Sequence, residues 1–225
     1  MQLIGSSKYQ DIFRQYALEP MERIIPNIQD ILQAWTVYLG YNPNPGVVNG
    51  SNPHTDPNRK YVYIPMVDVL PESDRDLIAQ VDIWAHEAGH CLHLELLGDD
   101  LSKWQEWARE TGHALDLAGR YGGGAGLAAD TNYWWIPSYE DFACDIAKMV
   151  KSAEPHPYYM CLCGLQYQVL VPGSLEYNVN GVLVDKDAAP RIIEGRTYTP
   201  TRHTHEGFGD TVNYINGKII IVRRG

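Results

Sequence analysis

The chain has little basic charge and no long apolar run, and each of these absences excludes a class of protein. Its 225 residues carry 18 Lys and Arg against 28 Asp and Glu, and the basic residues are scattered along the chain. A nucleic-acid surface needs a basic patch, so we expect no nucleic-acid partner. No segment approaches the roughly 20 consecutive apolar residues of a transmembrane helix, so we expect no membrane span.

Cysteines and export signals are also scarce. Four cysteines are too few for a disulfide framework in a chain of 225 residues, so we expect buried free thiols. The Cys-x-Cys pair has no second Cys or His pair at zinc-finger spacing to complete a site. The first ten residues, MQLIGSSKYQ, lack the basic and apolar segments of a signal peptide, and the sequence therefore assigns no compartment. The cysteines are Cys91, Cys144, Cys161 and Cys163.

The first third of the chain predicts short helices, a turn-rich segment and a strand. Apolar residues recur at helical spacing over residues 9–35, and Pro20 and Pro26 predict breaks between short helices. After the turn-rich residues 40–60, a β-branched and aromatic run over residues 61–70 predicts a strand. Pro65 inside that run cannot donate a ladder hydrogen bond, which predicts an edge strand. Such an edge can pair with an extended peptide or serve the structure alone.

One long helix is the most strongly predicted element. Apolar residues recur three or four apart from about residue 74 to residue 97. Ser73, with Asp76 three residues later, resembles a capping box at its start, and Gly98 predicts its end. The helix contains the segment WAHEAGHCLH, residues 84–93.

The spacing within this segment predicts a zinc site. His86 and His90 stand four residues apart, so both imidazoles lie on one helix face. Glu87 follows the first histidine, and the H-E-x-x-H spacing lets both histidines reach one Zn²⁺ while the glutamate faces the attacking water. Gly89 leaves room for a neighbouring backbone or a substrate at this face. His93, one turn beyond His90, is predicted to be a polar neighbour.

A catalytic zinc also needs a third protein ligand. The extended H-E-x-x-H-x-x-G-x-x-H pattern fails, because His93 and Leu96 occupy the positions of its glycine and its third histidine. The ligand must therefore come from later in the chain. The candidates on spacing alone are Glu106, Glu110, Glu140, Asp141 and Asp145.

Two further predicted helices carry these carboxylates. The first covers residues 101–122 and is opened by Asp100 or Ser102. The second covers residues 138–150, with Ser138 as its predicted cap.

The segment Glu140-Asp141-Phe142-Ala143, with Tyr133 seven residues before it, resembles the C-terminal stretch of the anthrax lethal factor and Pro-Pro endopeptidase peptidases. Together with the H-E-x-x-H helix, the resemblance covers roughly residues 75–150. It implies a zincin fold in which Glu140 is the third zinc ligand. Glu110 is spaced from His90 as the glutamate ligand is in thermolysin-like enzymes, and it is the rival on spacing alone.

The resemblance also implies roles for individual residues. His86, His90 and Glu140 would hold one catalytic Zn²⁺. Glu87 would be the general base that moves the proton of the attacking water to the leaving amine. Tyr133 would hydrogen-bond the oxyanion formed during hydrolysis of the peptide bond.

Two features beside these residues are less regular. Cys144 stands where the family pattern has a second acid, and Asp145 follows it. Such an acid commonly supports a ligand histidine. Residues 120–130, RYGGGAGLAAD, lack the Gly-Lys-Ser/Thr of a phosphate loop, and they predict either a mobile lid beside the cleft or a plain connector.

The end of the chain predicts a small β-rich domain. Asn180-Gly181 and Asn216-Gly217 each separate two β-prone runs and predict two-residue hairpin turns. Residues 176–222 are similar to the copper amine oxidase N-terminal-like stalk domain, which occurs as repeats on surface proteins of Gram-positive bacteria and their phages. The similarity is carried by Val179-Asn180-Gly181, Gly195-Arg196-Thr197, Pro200, Arg202 and the final hairpin.

The name of this stalk domain does not by itself predict a copper site. His203 and His205 alternate as they would on one face of a strand. Two histidines without further ligands bind copper weakly, so we expect the domain to serve attachment or spacing.

The sequence thus predicts an α+β protein of two domains. Residues 1–172 form a mainly helical zincin peptidase domain with a small edge-stranded sheet, and residues 173–225 form the stalk-like β domain. The predicted function is that of a zinc metalloendopeptidase acting on a peptide or protein, with a bacterial cell surface as partner of the tail. Two alternatives are a peptidoglycan peptidase such as a phage lysin, and a non-catalytic surface or virion protein with a relic zinc site.

The separability of the two domains depends on one strand-like run. If the tail only positions the enzyme, a chain cut near Pro172 should fold, bind zinc and cleave short peptides. Residues 164–171, GLQYQVLV, could instead pair with the tail and join both domains in one core.

Overall fold

A computed structural model describes residues 1–44, 53–66, 74–122 and 133–170, and six short segments of the tail. For residues 74–81, 120–122, 133–135, 168, 170 and most of the tail, the backbone alone is described. In the described part, no helix is long and apolar enough to cross a membrane. The tail segments are residues 176–179, 182–185, 191–193, 196–198, 211–215 and 218–224. The predicted cap Ser73, residues 123–130 of the glycine-rich segment, and His203 and His205 lie outside the described residues.

The N-terminal helices are α1 Ser7–Phe13, α2 Glu19–Glu22 and α3 Ile28–Ile31. A π-helical turn at Arg14–Leu18 joins α1 to α2, so the predicted break at Pro20 is wrong. Pro20 lies directly after the π-helical turn, and the helical backbone continues through it. Pro26 lies between α2 and α3, as predicted.

A four-stranded sheet packs beside these helices. Its strands are β1 Gln2–Ile4, β2 Thr36–Leu39, β3 His54–Asp56 and β4 Tyr61–Ile64. The order is β1-β2-β4-β3, with β3 antiparallel to β4 and the other pairs parallel. The predicted edge strand is therefore internal, because Pro65 lies just beyond the last paired residue, Ile64, and interrupts no ladder. The edge strands are β1 and β3, and β3 lies within the segment predicted to be turn-rich.

Four further helices follow, namely α4 Asp74–Leu96, α5 Leu101–Thr111, α6 Pro137–Ser152 and α7 Pro157–Leu162. α4 confirms the predicted long helix. Asp100 caps α5, but Gly112 ends it in a left-handed conformation with φ 78°, so the helix predicted over residues 101–122 is too long. Ser138 is not the cap of α6, because its hydroxyl accepts a hydrogen bond from the Asp116 N–H instead.

The remaining strands are β5 Arg120–Gly122, β6 Tyr133–Trp135, β7 Leu165–Leu170, β8 Glu176–Val179, β9 Val182–Asp185, β10 Arg191–Ile193, β11 Arg196–Tyr198, β12 Thr211–Ile215 and β13 Lys218–Arg224. β5 pairs with β6, and β10 pairs with β11. The predicted hairpins are confirmed as β8–β9 and β12–β13, each with two residues between its strands.

Residues 164–171, which the sequence predicted either to precede the tail or to pair with it, contribute β7 to a sheet of the tail. The five-stranded sheet has the order β12-β13-β7-β8-β9, so β7 lies between two strands of the tail. The main hydrophobic core continues from α4 and α6 into this sheet, where Ile220 and Val222 are fully buried. The division into domains at residue 172 stays a prediction.

The four cysteines differ in their environments. All four are free thiols. Cys91 and Cys163 are buried, as predicted, whereas Cys144 and Cys161 are exposed. The prediction of buried thiols is therefore wrong for the latter two, and Cys144 lies at the face of α6 that meets the candidate site.

Candidate metal centre

The close packing of α4 against α6 builds the site. A Cβ added at Gly89 would lie 2.7 Å from the Cα of Ala143, so the two helix backbones approach as closely as a glycine allows. The neighbouring backbone expected beside Gly89 is thus that of α6. Glu140 precedes Ala143 by three residues, so this contact places Glu140 on the helix face that meets α4.

Three side chains converge at this contact. Nε2 of His86 lies 3.2 Å from Nε2 of His90. The carboxylate oxygens of Glu140 lie 3.4 Å from Nε2 of His86 and 3.6 Å from Nε2 of His90. Ligand atoms at about 2.0–2.1 Å from a tetrahedral zinc ion stand about 3.3 Å apart, which is close to all three separations. Among the described residues, this is the group whose donor atoms could share one metal ion.

Burial prepares His90 for metal binding. Removal from water lowers its pKa to about 4, which favours the neutral imidazole that a metal requires. Nδ1 of His90 lies 3.4 Å from Nε2 of His93, whose side chain is buried against the rings of Tyr139 and Trp104. Burial also lowers the pKa of His93, so this neighbour stays neutral too. His93 therefore contacts the ring nitrogen of His90 that faces away from the other two predicted ligands. This agrees with the prediction that His93 is a polar neighbour of the site.

Glu87 occupies a buried position between α4 and β3. Oε2 of Glu87 accepts a hydrogen bond of 2.7 Å from the hydroxyl of Thr55. Burial raises the pKa of Glu87 to about 7, although the bond from Thr55 acts in the opposite direction. A carboxyl group with a pKa near neutrality is suited to take and return a proton at physiological pH.

Neither Cys144 nor Asp145 places a carboxylate beside a ligand histidine, as the second acid of the family pattern would. Sγ of Cys144 lies 3.8 Å from Nδ1 of His86, so a thiol stands beside this histidine. Asp145 points elsewhere, because its Oδ2 accepts hydrogen bonds from the hydroxyl of Tyr159 at 2.6 Å and from Nε2 of His113 at 2.9 Å. Asp145 therefore bonds α7 and the segment that follows α5, and not a ligand histidine.

The other carboxylates proposed from spacing lie outside the three-residue group. Glu106 and Glu110 of α5 both pair with Arg109, at 3.8 Å and 2.9 Å. Asp141 lies 3.9 Å from Nδ1 of His113. Of the candidates on spacing, the structure thus brings Glu140 to the histidines. Tyr133 lies on β6, but its side chain lies outside the described part of the structure.

Thr55 is a site residue that sequence reasoning missed. It stands in a strand of three polar residues, His54–Asp56, within a segment rich in Pro, Gly and Asn. Such a short polar strand has no alternating pattern to reveal it. Its position beside Glu87 follows from the pairing of β3 with β4, which only the folded chain shows.

Comparison with known proteins gives one match. A family model described as Copper amine oxidase N-terminal domain matches residues 164–222, which contain β7 to β12 and most of β13. This match confirms the resemblance of the tail to that domain. No curated protein and no solved structure matches the chain. The zincin resemblance of the preceding part stays a prediction.

Proposed function

We propose that the protein is a zinc-dependent metallopeptidase whose metal ligands are His86, His90 and Glu140. The observation that supports this most strongly is the set of three separations between their donor atoms, 3.2, 3.4 and 3.6 Å. Two imidazole nitrogens and one carboxylate oxygen form the donor set of many catalytic zinc sites. The side chain of Glu140 is 40% exposed, so solvent and substrate can reach this side of the site.

Each side chain of the site then has its own role in peptide hydrolysis. A bound zinc ion would act as a Lewis acid toward the peptide carbonyl and make water more acidic. Glu87 takes the proton of the attacking water and delivers it to the leaving amine. Thr55 holds one oxygen of Glu87 and leaves the other oxygen for the water. The hydroxyl of Tyr133, as the family resemblance implies, hydrogen-bonds the oxyanion.

The edge strand β3 offers a place for an extended substrate. The peptide-pairing edge expected from the sequence is not β4 but β3, whose outer edge has no neighbouring strand within the described residues. An extended peptide that adds to this edge runs beside Thr55 and therefore beside Glu87. Main-chain pairing would hold the peptide while the carboxylate acts on the water at the scissile bond.

Profiling of cleavage on a mixed peptide library by mass spectrometry tests the proposed activity. We expect cleavage by the protein as purified, loss of cleavage after treatment with a chelator, and recovery when zinc is added back. Cleavage that is unaffected by the chelator would rule out a metallopeptidase. Loss of all cleavage despite bound zinc in the untreated protein would favour the non-catalytic alternative.

The tail favours a second role beside catalysis. Its match to the copper amine oxidase N-terminal domain supports the proposal that it attaches the enzyme to a bacterial surface or spaces it from one. Comparison of turnover on generic peptides with release of peptides from purified cell wall distinguishes a general peptidase from a peptidoglycan peptidase. A clear preference for cell wall would favour the lysin alternative.

A further inference from the structure

A pocket of about 540 Å³ opens beside the candidate metal centre between α4 and α6. His86 and Glu87 line the end of the pocket that faces the metal centre. Pro53, Ile83 and Ala147 contribute to a lining that is mostly apolar. The pocket is therefore continuous with the catalytic groups and suited to an aliphatic group.

The pocket lies where a side chain of an extended substrate would enter it. Pro53 immediately precedes the edge strand β3, and Glu87 both lines the pocket and bonds Thr55 of that strand. A peptide along the edge of β3 would thus pass the mouth of the pocket close to the peptide bond that the water activated by Glu87 would attack. The residue that fills the pocket is one that flanks the scissile bond.

Two lysines line the pocket, and they differ in their acidic partners. Lys151 is neutralised by Asp82, with 2.7 Å between Nζ and Oδ2. Lys148 also lines the pocket and is exposed; within the described residues it forms no hydrogen bond and no ion pair within 4.0 Å, and Glu154 interacts with it only through longer-range charge. An apolar pocket with Lys148 at its rim, the lining lysine that has no acid within 4.0 Å among the described residues, complements a side chain that has an aliphatic stem and a terminal carboxylate.

We infer that this pocket selects glutamate at a position flanking the scissile bond, with Lys148 as the specificity-determining residue. The inference rests on the proposed peptidase function and adds its substrate class. The stem of glutamate covers the apolar wall, and its carboxylate reaches the ammonium group of Lys148. Aspartate has a shorter stem for the same carboxylate, and glutamine lacks the charge.

Matched peptides test this specificity. Three substrates differ only in carrying Glu, Gln or Lys at each flanking position, and three proteins are compared: the wild type, Lys148→Glu and Lys8→Glu. Lys8 lies on α1, does not line the pocket, and its replacement makes the same change in net charge. A partly exposed ion pair predicts that the wild type cleaves the Glu peptide about threefold faster than the Gln peptide in kcat/KM. High salt should reduce this ratio.

The variants test the specificity for glutamate separately from the proposed peptidase activity. We expect Lys148→Glu to reverse the preference toward Lys, while Lys8→Glu keeps the wild-type preference. Equal kcat/KM for the Glu and Gln peptides, or an unchanged preference in Lys148→Glu, would overturn the inference. If cleavage still depends on Glu87 in that case, the proposed peptidase function stands. Failure of the wild type to cleave any peptide would overturn both.

Discussion

The hydroxyl of Thr55 donates a 2.7 Å hydrogen bond to Oε2 of Glu87, and this bond joins the edge strand β3 to the helix α4. Glu87 is buried, so its carboxylate depends on a protein donor to fix its orientation. The same strand that would hold a substrate thereby positions the group that would activate water. Thr55 is in this account a positioning residue for the general base.

Replacement of Thr55 tests this positioning. Thr55→Val removes the hydroxyl at nearly constant volume, and we expect kcat to fall about tenfold because a hydrogen bond to a charged group contributes about 1.5–3 kcal/mol. Zinc content and KM should stay near the wild-type values. Thr55→Ser keeps the hydroxyl and should recover most of the activity. A Val variant with wild-type kcat, measured with the same peptide, would exclude this role.

His93 should strengthen metal binding through its contact with His90. His93→Leu removes the ring nitrogen 3.4 Å from Nδ1 of His90, and loss of such support typically weakens metal affinity about 10- to 100-fold. His93→Gln retains an acceptor and is the matched control. Competition with a chromophoric chelator gives the zinc Kd of each variant, and circular dichroism reports its fold. Equal zinc affinity in the Leu variant would show that the contact only fills space.

The choice of the third ligand is open to a direct comparison. We expect Glu140→Ala to lose zinc, because Glu140 contributes the oxygen of the three-residue group. Glu110→Ala should keep full zinc occupancy, since this carboxylate pairs with Arg109 on α5. Metal analysis of the two purified variants decides between them. Full occupancy in the first together with metal loss in the second would reverse the assignment.

Removal of the tail should lower the stability of the fold, although it removes none of the proposed catalytic groups. A cut near Pro172 leaves β7 without β8 and β13 and removes Ile220 and Val222 from the core. Burial of each such side chain contributes about 1.5–3 kcal/mol, so we now expect a clearly lower free energy of unfolding than the sequence alone suggested. Chemical denaturation of the truncated and full-length chains measures this difference. Equal stability of both would support two independent domains.

The sequence predicts those parts of the fold that have a strong local signal. α4 and both hairpins of the tail follow from apolar periodicity and from Asn-Gly turns, and they are confirmed. The convergence of Glu140 with the histidines was expected from a resemblance, and its physical basis is the contact of Gly89 with Ala143. That contact joins residues more than fifty positions apart, which no local pattern encodes.

The wrong predictions about the first sheet share a cause in the long-range pairing of strands. Pro65 was expected to mark an edge strand, but it lies one residue beyond the ladder of β4. β3 carries no apolar alternation, and its place at the sheet edge is set by β4. The role of Thr55 depends on this placement, so it could not be found before the fold was known. Propensity describes which residues suit a strand but not which strand lies beside it.

The central claim is that Glu87 is the base of a zinc peptidase, and one paired measurement on Glu87→Gln tests it most directly. The substitution keeps the size of the side chain and an acceptor for Thr55, so the fold and the three metal ligands should persist. We expect zinc content equal to that of the wild type, with peptide turnover lower by at least about a hundredfold, the usual contribution of a general base. Turnover near the wild-type value in the zinc-loaded Gln variant would contradict the account.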